Sequence, residues 1–127
     1  MMRDDDIASE RDGGVLVVEM RGEPSIATVL RWATVLDTAL CELPWPRLLV
    51  IDLGPLDFLS ERGGRGLLGA LDRCRDRGQP GCLVAAPGTG VERVVRRMRL
   101  GERVPVFPDR LATIVAYQPV EVRWLLC

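Results

Sequence analysis

The chain has 127 residues, 47% of them hydrophobic, which is enough for one domain to bury a core without disulfide or metal support. With 17 basic and 18 acidic residues its formal charge is -1, so it has no global attraction to nucleic acid or to an anionic membrane surface. It has no histidine, which removes the commonest general base and metal ligand, and its 4 cysteines lack a C-x-x-C pair, so they make no recognisable zinc set.

Cys41, Cys74, Cys82 and Cys127 therefore read as buried thiols of a reducing cytoplasm. The start, Met1-Met2-Arg3 then Asp4-Asp5-Asp6, lacks the apolar centre of a signal peptide, and no run reaches the roughly 20 residues of a membrane span. The expectation is a soluble, cytoplasmic protein with no bound metal or cofactor.

Residues 1–12 are polar and acidic and predict a flexible N-terminus, with a short edge strand near Ile7 to Arg11. After Gly13-Gly14, the β-branched run Val15 to Met20 predicts a central strand. A helix is expected from about Ile26 to Leu43, its buried face formed by Ile26, Val29, Leu30, Ala33, Leu36, Leu40 and Leu43. Trp32 falls beside that face, either widening the core stripe or meeting a dimer mate or partner. Pro44-Trp45-Pro46 stops the helix.

The strand from Arg47 to Leu53 comes next, then a Gly-Pro turn and a glycine-rich entry into a helix from about Glu61 to Arg77. Its core face carries Gly63, Leu67, Ala70, Leu71 and Cys74; Arg62, Arg65, Gly66, Gly69, Asp72, Arg73 and Asp76 share the opposite face. Cys82 to Ala86 predicts a short buried strand. Pro87-Gly88-Thr89-Gly90 then leads to a helix with Val91, Val94, Val95 and Met98 inward, ended by Gly101. Val104 to Phe107 predicts a last parallel strand, and Pro108-Asp109 opens a helix with Leu111, Ile114 and Val115 inward. In residues 118–127, Val120, Val122 and Trp124 alternate with Glu121 and Arg123, and Leu125-Leu126-Cys127 is too apolar to be left in water. This extension is expected to dock, on the chain's own sheet edge or across a dimer. Strands alternating with helices of these lengths predict an α/β domain over residues 13–117, with four to five mainly parallel strands and about four helices.

Gly22-Glu23 before a helix, Val50-Ile51-Asp52-Leu53 followed by Leu56-Asp57-Phe58-Leu59, Gly63 with Leu67-Leu68, and Val104-Pro105-Val106-Phe107 occur in an order and spacing that resembles a STAS domain, the fold of bacterial anti-sigma-factor antagonists. The resemblance runs from about Val15 to Tyr117. It implies a non-catalytic interaction module of transcription regulation. In partner-switching members of that family an anti-sigma kinase docks on the helix after the F-(L/M)-D-S-(S/T)-G motif and phosphorylates its first serine. Here the motif departs: Ser60 stands where the family has aspartate, Glu61 where it has the phosphorylated serine, and Arg62 where it has serine or threonine. Ser25 replaces the aspartate of the family's G-E-L-D.

The residues themselves allow several uses. Glu61 is a fixed charge at a helix N-terminus, and it either imitates a phosphoserine, marks a switch that has been lost, or simply steadies the dipole by about 0.3–1 kcal/mol. Ser60 suits an N-cap. Gly63 and Gly64 are explained by close packing on the sheet, whereas Gly66 and Gly69 gain nothing from the core and suit a flat surface that a partner approaches. Arg93, Arg96, Arg97, Arg99 and Arg103 form a local basic patch, and Gly88-Thr89-Gly90 is a helix entry without the lysine of a phosphate loop. Asp52 and Asp57 have no catalytic surroundings in the sequence. The expected role is binding of an anti-sigma or kinase-like protein through Ser60, Glu61, Arg62, Arg65, Gly66, Gly69, Asp72 and Arg73, with Trp32 and Trp124 as dimer or partner contacts. The alternatives are a STAS scaffold subunit of a transporter or sensor assembly, and a nucleotide- or small-anion-binding module using the Ser60 and Gly88 helix entries.

Overall fold

A computed structural model describes residues 7–12, 15–21, 31, 34, 38 and 48–117. Its sheet has five strands in the order β1 (Ile7–Asp12), β2 (Val15–Met20), β3 (Leu48–Asp52), β4 (Gly81–Val84) and β5 (Val106–Phe107). β1 runs antiparallel to β2 with Ile7 opposite Met20, and each later neighbouring pair is parallel. The edge strand expected near Ile7 to Arg11 is thus present. The parallel strands are joined by α1 (Glu61–Asp76) between β3 and β4 and α2 (Gly90–Arg97) between β4 and β5. A final helix, α3 (Arg110–Ala116), follows β5.

Every residue of β3 and β4 is buried, which is why both read as continuous apolar runs rather than alternating ones. The two-residue period still sorts them between two cores. Leu49, Ile51 and Leu83 join Leu16, Val18 and Met20 under Leu67, Ala70, Leu71 and Cys74 of α1 and Val91, Val94 and Val95 of α2. Leu48, Val50, Cys82 and Val84 face the other way, with Val15, Val17, Phe107 and Tyr117 packed against them. The Phe107 and Tyr117 rings meet edge to face at 6.0 Å. Burial pushes the Cys82 thiol up to about 12, so it stays protonated and unreactive.

α1 begins at the Ser60 cap and ends at Arg77, after which Gly78 takes a positive φ of 72° to turn the chain. α2 stops earlier than Gly101. Arg99 holds the left-handed conformation (φ 58°), and Leu100, completely buried, opens a 3-10 turn over Leu100–Glu102. The last strand is also shorter than expected, because only Val106 and Phe107 pair with β4.

α3 corrects the sequence reading. Leu111, Ile114 and Val115, expected inward, are 67%, 63% and 60% exposed, while Thr113 is 4% exposed. The inward row is Arg110, Thr113 and Tyr117, at three- and four-residue spacing. The Arg110 guanidinium reaches Asp52 and Glu19 at the ends of β3 and β2, which turns the row of Arg110, Thr113 and Tyr117 toward the sheet.

Arg31, Thr34 and Thr38 are helical; Thr34 and Thr38 are exposed and Arg31 half-buried, as befits the outer face of the helix expected over 26–43. That helix's apolar stripe, Trp32 and the extension 118–127 with Trp124 lie outside the described residues.

Candidate functional site

The junction between β3 and α1 is built by short-range hydrogen bonds. Asp52 Oδ1 accepts from the Gly54 backbone N–H at 2.8 Å, and the Leu56 N–H closes a turn on Leu53 at 3.1 Å. Leu56 and Leu59 then plunge into the core while Phe58 stays 54% exposed. Ser60 has extended backbone, and its Oγ accepts from the Gly63 N–H at 3.0 Å. That is the N-cap function predicted for it, and it satisfies one of the orphan donors of the first turn.

Glu61 is the first helical residue. Its side chain is 60% exposed, and one carboxylate oxygen lies 3.9 Å from an Arg97 Nη2 on the neighbouring α2. The carboxylate therefore projects outward at the positive end of the α1 dipole, beside a guanidinium. Arg62 and Arg65 are exposed along the same helix, and Gly66, Gly69, Asp72 and Arg73 are half-buried. Of the predicted face, Arg62 and Arg65 thus stand outward while the other four are partly covered, and its polar members are not all available. Asp72 Oδ1 accepts from Arg75 at 2.9 Å and from Arg103, in the segment after the 3-10 turn, at 3.0 Å. Asp72 ties α1 to that segment as well as lining the strip.

The glycines of α1 differ in what surrounds them. A Cβ built on Gly64 would lie 2.3 Å from Met98 Sδ, so its neighbour is the end of α2 rather than the sheet. A Cβ on Gly69 would meet only Arg73 Nη1, at an ordinary 3.7 Å. Gly64 is required by packing; Gly69 is not.

The second helix entry carries its own carboxylate. Glu92 Oε1 accepts from the Gly88 N–H at 3.1 Å, and Thr89 Oγ1 accepts from the Glu92 N–H at 3.2 Å while donating to the Ala86 carbonyl at 2.7 Å. Glu92 occupies the position an incoming anion would take. The basic patch is dispersed in the same manner: Arg96 pairs with Glu92 at 3.5 Å, Arg97 with Glu61, and Arg103 with Asp72.

Sequence reasoning missed one cluster. Glu19 and Asp52 are register partners on β2 and β3, and Arg110 links them, donating Nε to Asp52 at 2.7 Å and Nη2 to Glu19. Glu19 also accepts from Arg21 at 2.8 Å. These hydrogen bonds, from Arg21 and then Arg110, hold the Glu19 carboxyl below its usual range against the opposing effect of burial. Its signal in the sequence was two acids closing apolar strands, followed much later by an arginine after the Asp109 cap. Only the sheet register brings them together. Among the described residues no group of three metal-binding side chains converges, and no helix is long and apolar enough to cross a membrane.

Several solved structures share this architecture. An anti-sigma factor antagonist from Mycobacterium paratuberculosis superposes with a TM-score of 0.77 at 23% identity, covering 89% of this chain and 93% of the other. A sulfate transporter family protein from Wolinella succinogenes gives 0.66 at 19% identity, covering 78% and 80%. A serine-to-glutamate variant of RsbS from Moorella thermoacetica gives 0.59 at 16% identity, covering 71% and 75%. No curated protein sequence matches the chain. The STAS domain family model matches residues 6–111, and with the β-sheet order, the α1 junction and these neighbours it establishes that the chain belongs to the STAS domain family.

Proposed function

We propose that this STAS domain is a non-catalytic regulatory module, like the anti-sigma-factor antagonists, that binds an anti-sigma or kinase-like protein through the outward strip of α1 from Ser60 to Arg73. The observation that carries this reading is Glu61, an exposed carboxylate at the first position of α1, where the family's motif has its phosphorylated serine. The neighbouring hydroxyl, Ser60, is spent on the helix cap. A carboxylate has no hydroxyl to accept a phosphoryl group, so partner binding on this chain is not switched by the usual serine phosphorylation.

The test uses anti-sigma kinases of the same source organism with radiolabelled ATP. The wild-type chain is expected to bind its partner and take up no label, Glu61→Ser to regain label, and Arg65→Glu with Gly69→Trp to lose the partner. Stoichiometric labelling of the wild type would refute the lost switch, and undiminished binding by the α1 double variant would refute the docking face. The transporter-family neighbour favours a second reading, in which the same domain is a scaffold subunit of a transporter or sensor assembly. In that case the α1 double variant leaves assembly intact and no kinase binds.

A further inference from the structure

Among the described residues, nothing covers an apolar stripe on α3. Leu111, Ile114 and Val115 are each at least 60% exposed and lie on one side of the helix, away from the row of Arg110, Thr113 and Tyr117 that faces the sheet. From Leu111 to Tyr117 the helix carries no charge, so nothing in the stripe selects a charged partner. We propose that the C-terminal segment 118–127 folds back in cis along this stripe and covers it with Val120, Val122 and Trp124.

Four features point to this occupant. The segment starts where α3 ends, at the Tyr117 cap. Its second residue is Pro119, which cannot continue the helix and biases Gln118 to extended backbone, the geometry needed to turn the chain away. Its length suffices: ten extended residues span up to roughly 33 Å, whereas the seven of α3 rise only about 10 Å. Its pattern fits as well, since Val120, Val122 and Trp124 share one side of an extended chain and leave Glu121 and Arg123 on the other, toward water. A second copy seated directly on the stripe is less suited. Three side chains are far fewer than the roughly 20–30 residues per partner of a stable interface. This inference concerns the face of the sheet opposite α1 and stands independently of the partner proposed there.

The experiment is a double-mutant cycle in the full chain, read by urea unfolding at two protein concentrations. The stripe variant is Leu111→Gln with Ile114→Gln, and Leu111→Gln alone serves as the milder form; glutamine is as good a helix former as leucine, so a loss of stability reports buried apolar contact. The tail variant is Val122→Ser with Trp124→Ser. The stripe variant is expected to raise the unfolding constant roughly tenfold or more in the wild-type tail, and less than about twofold in the tail variant. Additive effects, or a stripe variant without effect, would overturn the proposal. Coupling that grows with protein concentration, together with a dimer on gel filtration, would also overturn it, in favour of tails exchanged between two copies.

Discussion

The contact between Gly64 and Met98 can be tested by adding a single methyl group. A Cβ at position 64 would sit 2.3 Å from Met98 Sδ and 3.1 Å from its Cε, the first more than an ångström inside an ordinary contact of about 3.5–4 Å. Met98 is half-buried and unbranched, so it can rotate away, but it then gives up its packing on the core that α1 and α2 share with Leu100. Such overpacking costs about 1–3 kcal/mol, while replacing glycine by alanine inside a helix returns about 0.8–1 kcal/mol. Gly64→Ala is therefore expected to destabilise by up to about 2 kcal/mol. In a Met98→Ala background the obstruction is gone and the same substitution is expected to stabilise by about 0.8–1 kcal/mol, a coupling of about 1–3 kcal/mol. Gly69→Ala is the control: its new methyl meets Arg73 at 3.7 Å, so it stabilises by about 0.8–1 kcal/mol in either background. Urea unfolding followed by circular dichroism measures the wild type and all five variants. If Gly64→Ala stabilises the wild type as much as Gly69→Ala does, the close approach of α1 to α2 is not there.

Other outcomes follow from the same physical reasoning. Arg110→Gln removes the cation shared by Asp52, which is 7% exposed, and Glu19; it is expected to cost about 1–3 kcal/mol and to loosen α3, measurable as faster amide exchange over Arg110–Ala116. Because the Glu19 carboxyl is held below its ordinary value in the folded chain, its contribution is present above the ordinary glutamate value near ~4.3 and is lost as pH falls through the folded value. Glu19→Gln should flatten that acid limb of stability, and an unchanged limb would show that Glu19 is not strengthened by Arg21 and Arg110. Arg99→Gly relieves the left-handed backbone at φ 58° and is expected to stabilise by about 0.5–1 kcal/mol, the glycine's extra unfolded-state freedom offsetting part of the gain; a destabilised variant would mean that the Arg99 side chain contributes more than its backbone costs.

The parts of the fold legible in the sequence are those decided within a few residues. β3 and β4 were readable as unbroken apolar runs, and α1 as a Ser60 cap followed by Leu67, Ala70, Leu71 and Cys74 in step. α3 was misread because its periodicity is ambiguous over seven residues: Leu111, Ile114 and Val115 make as good a stripe as Arg110, Thr113 and Tyr117. Local pattern cannot show that Arg110 must reach Asp52 and Glu19, which lie 58 and 91 positions away in the chain. The end of α2 was misplaced for a related reason. Gly101 is the residue that costs least in a left-handed turn, but burying Leu100 fixes where the chain must bend and puts Arg99 there instead. At the candidate site the capping role of Ser60 was local and legible, whereas the engagement of Asp72 by Arg103 and of Glu61 by Arg97 depends on how α2 and the segment after it sit against α1.

That last pair bears on how Glu61 acts. A phosphoserine carries about 1.5 to 2 negative charges and three acceptor oxygens, whereas a carboxylate carries one charge and two. Here even that single charge has Arg97 at 3.9 Å, in an exposed setting where water and salt weaken the attraction to at most about 1 kcal/mol. The junction thus presents a single carboxylate with a guanidinium beside it, less negative than a phosphoserine would be. If α1 docks a partner as proposed, this charge balance favours a strip that stays binding-competent, with Arg97 on α2 as the offsetting charge, and Arg97→Ala is then expected to weaken partner binding in a pull-down.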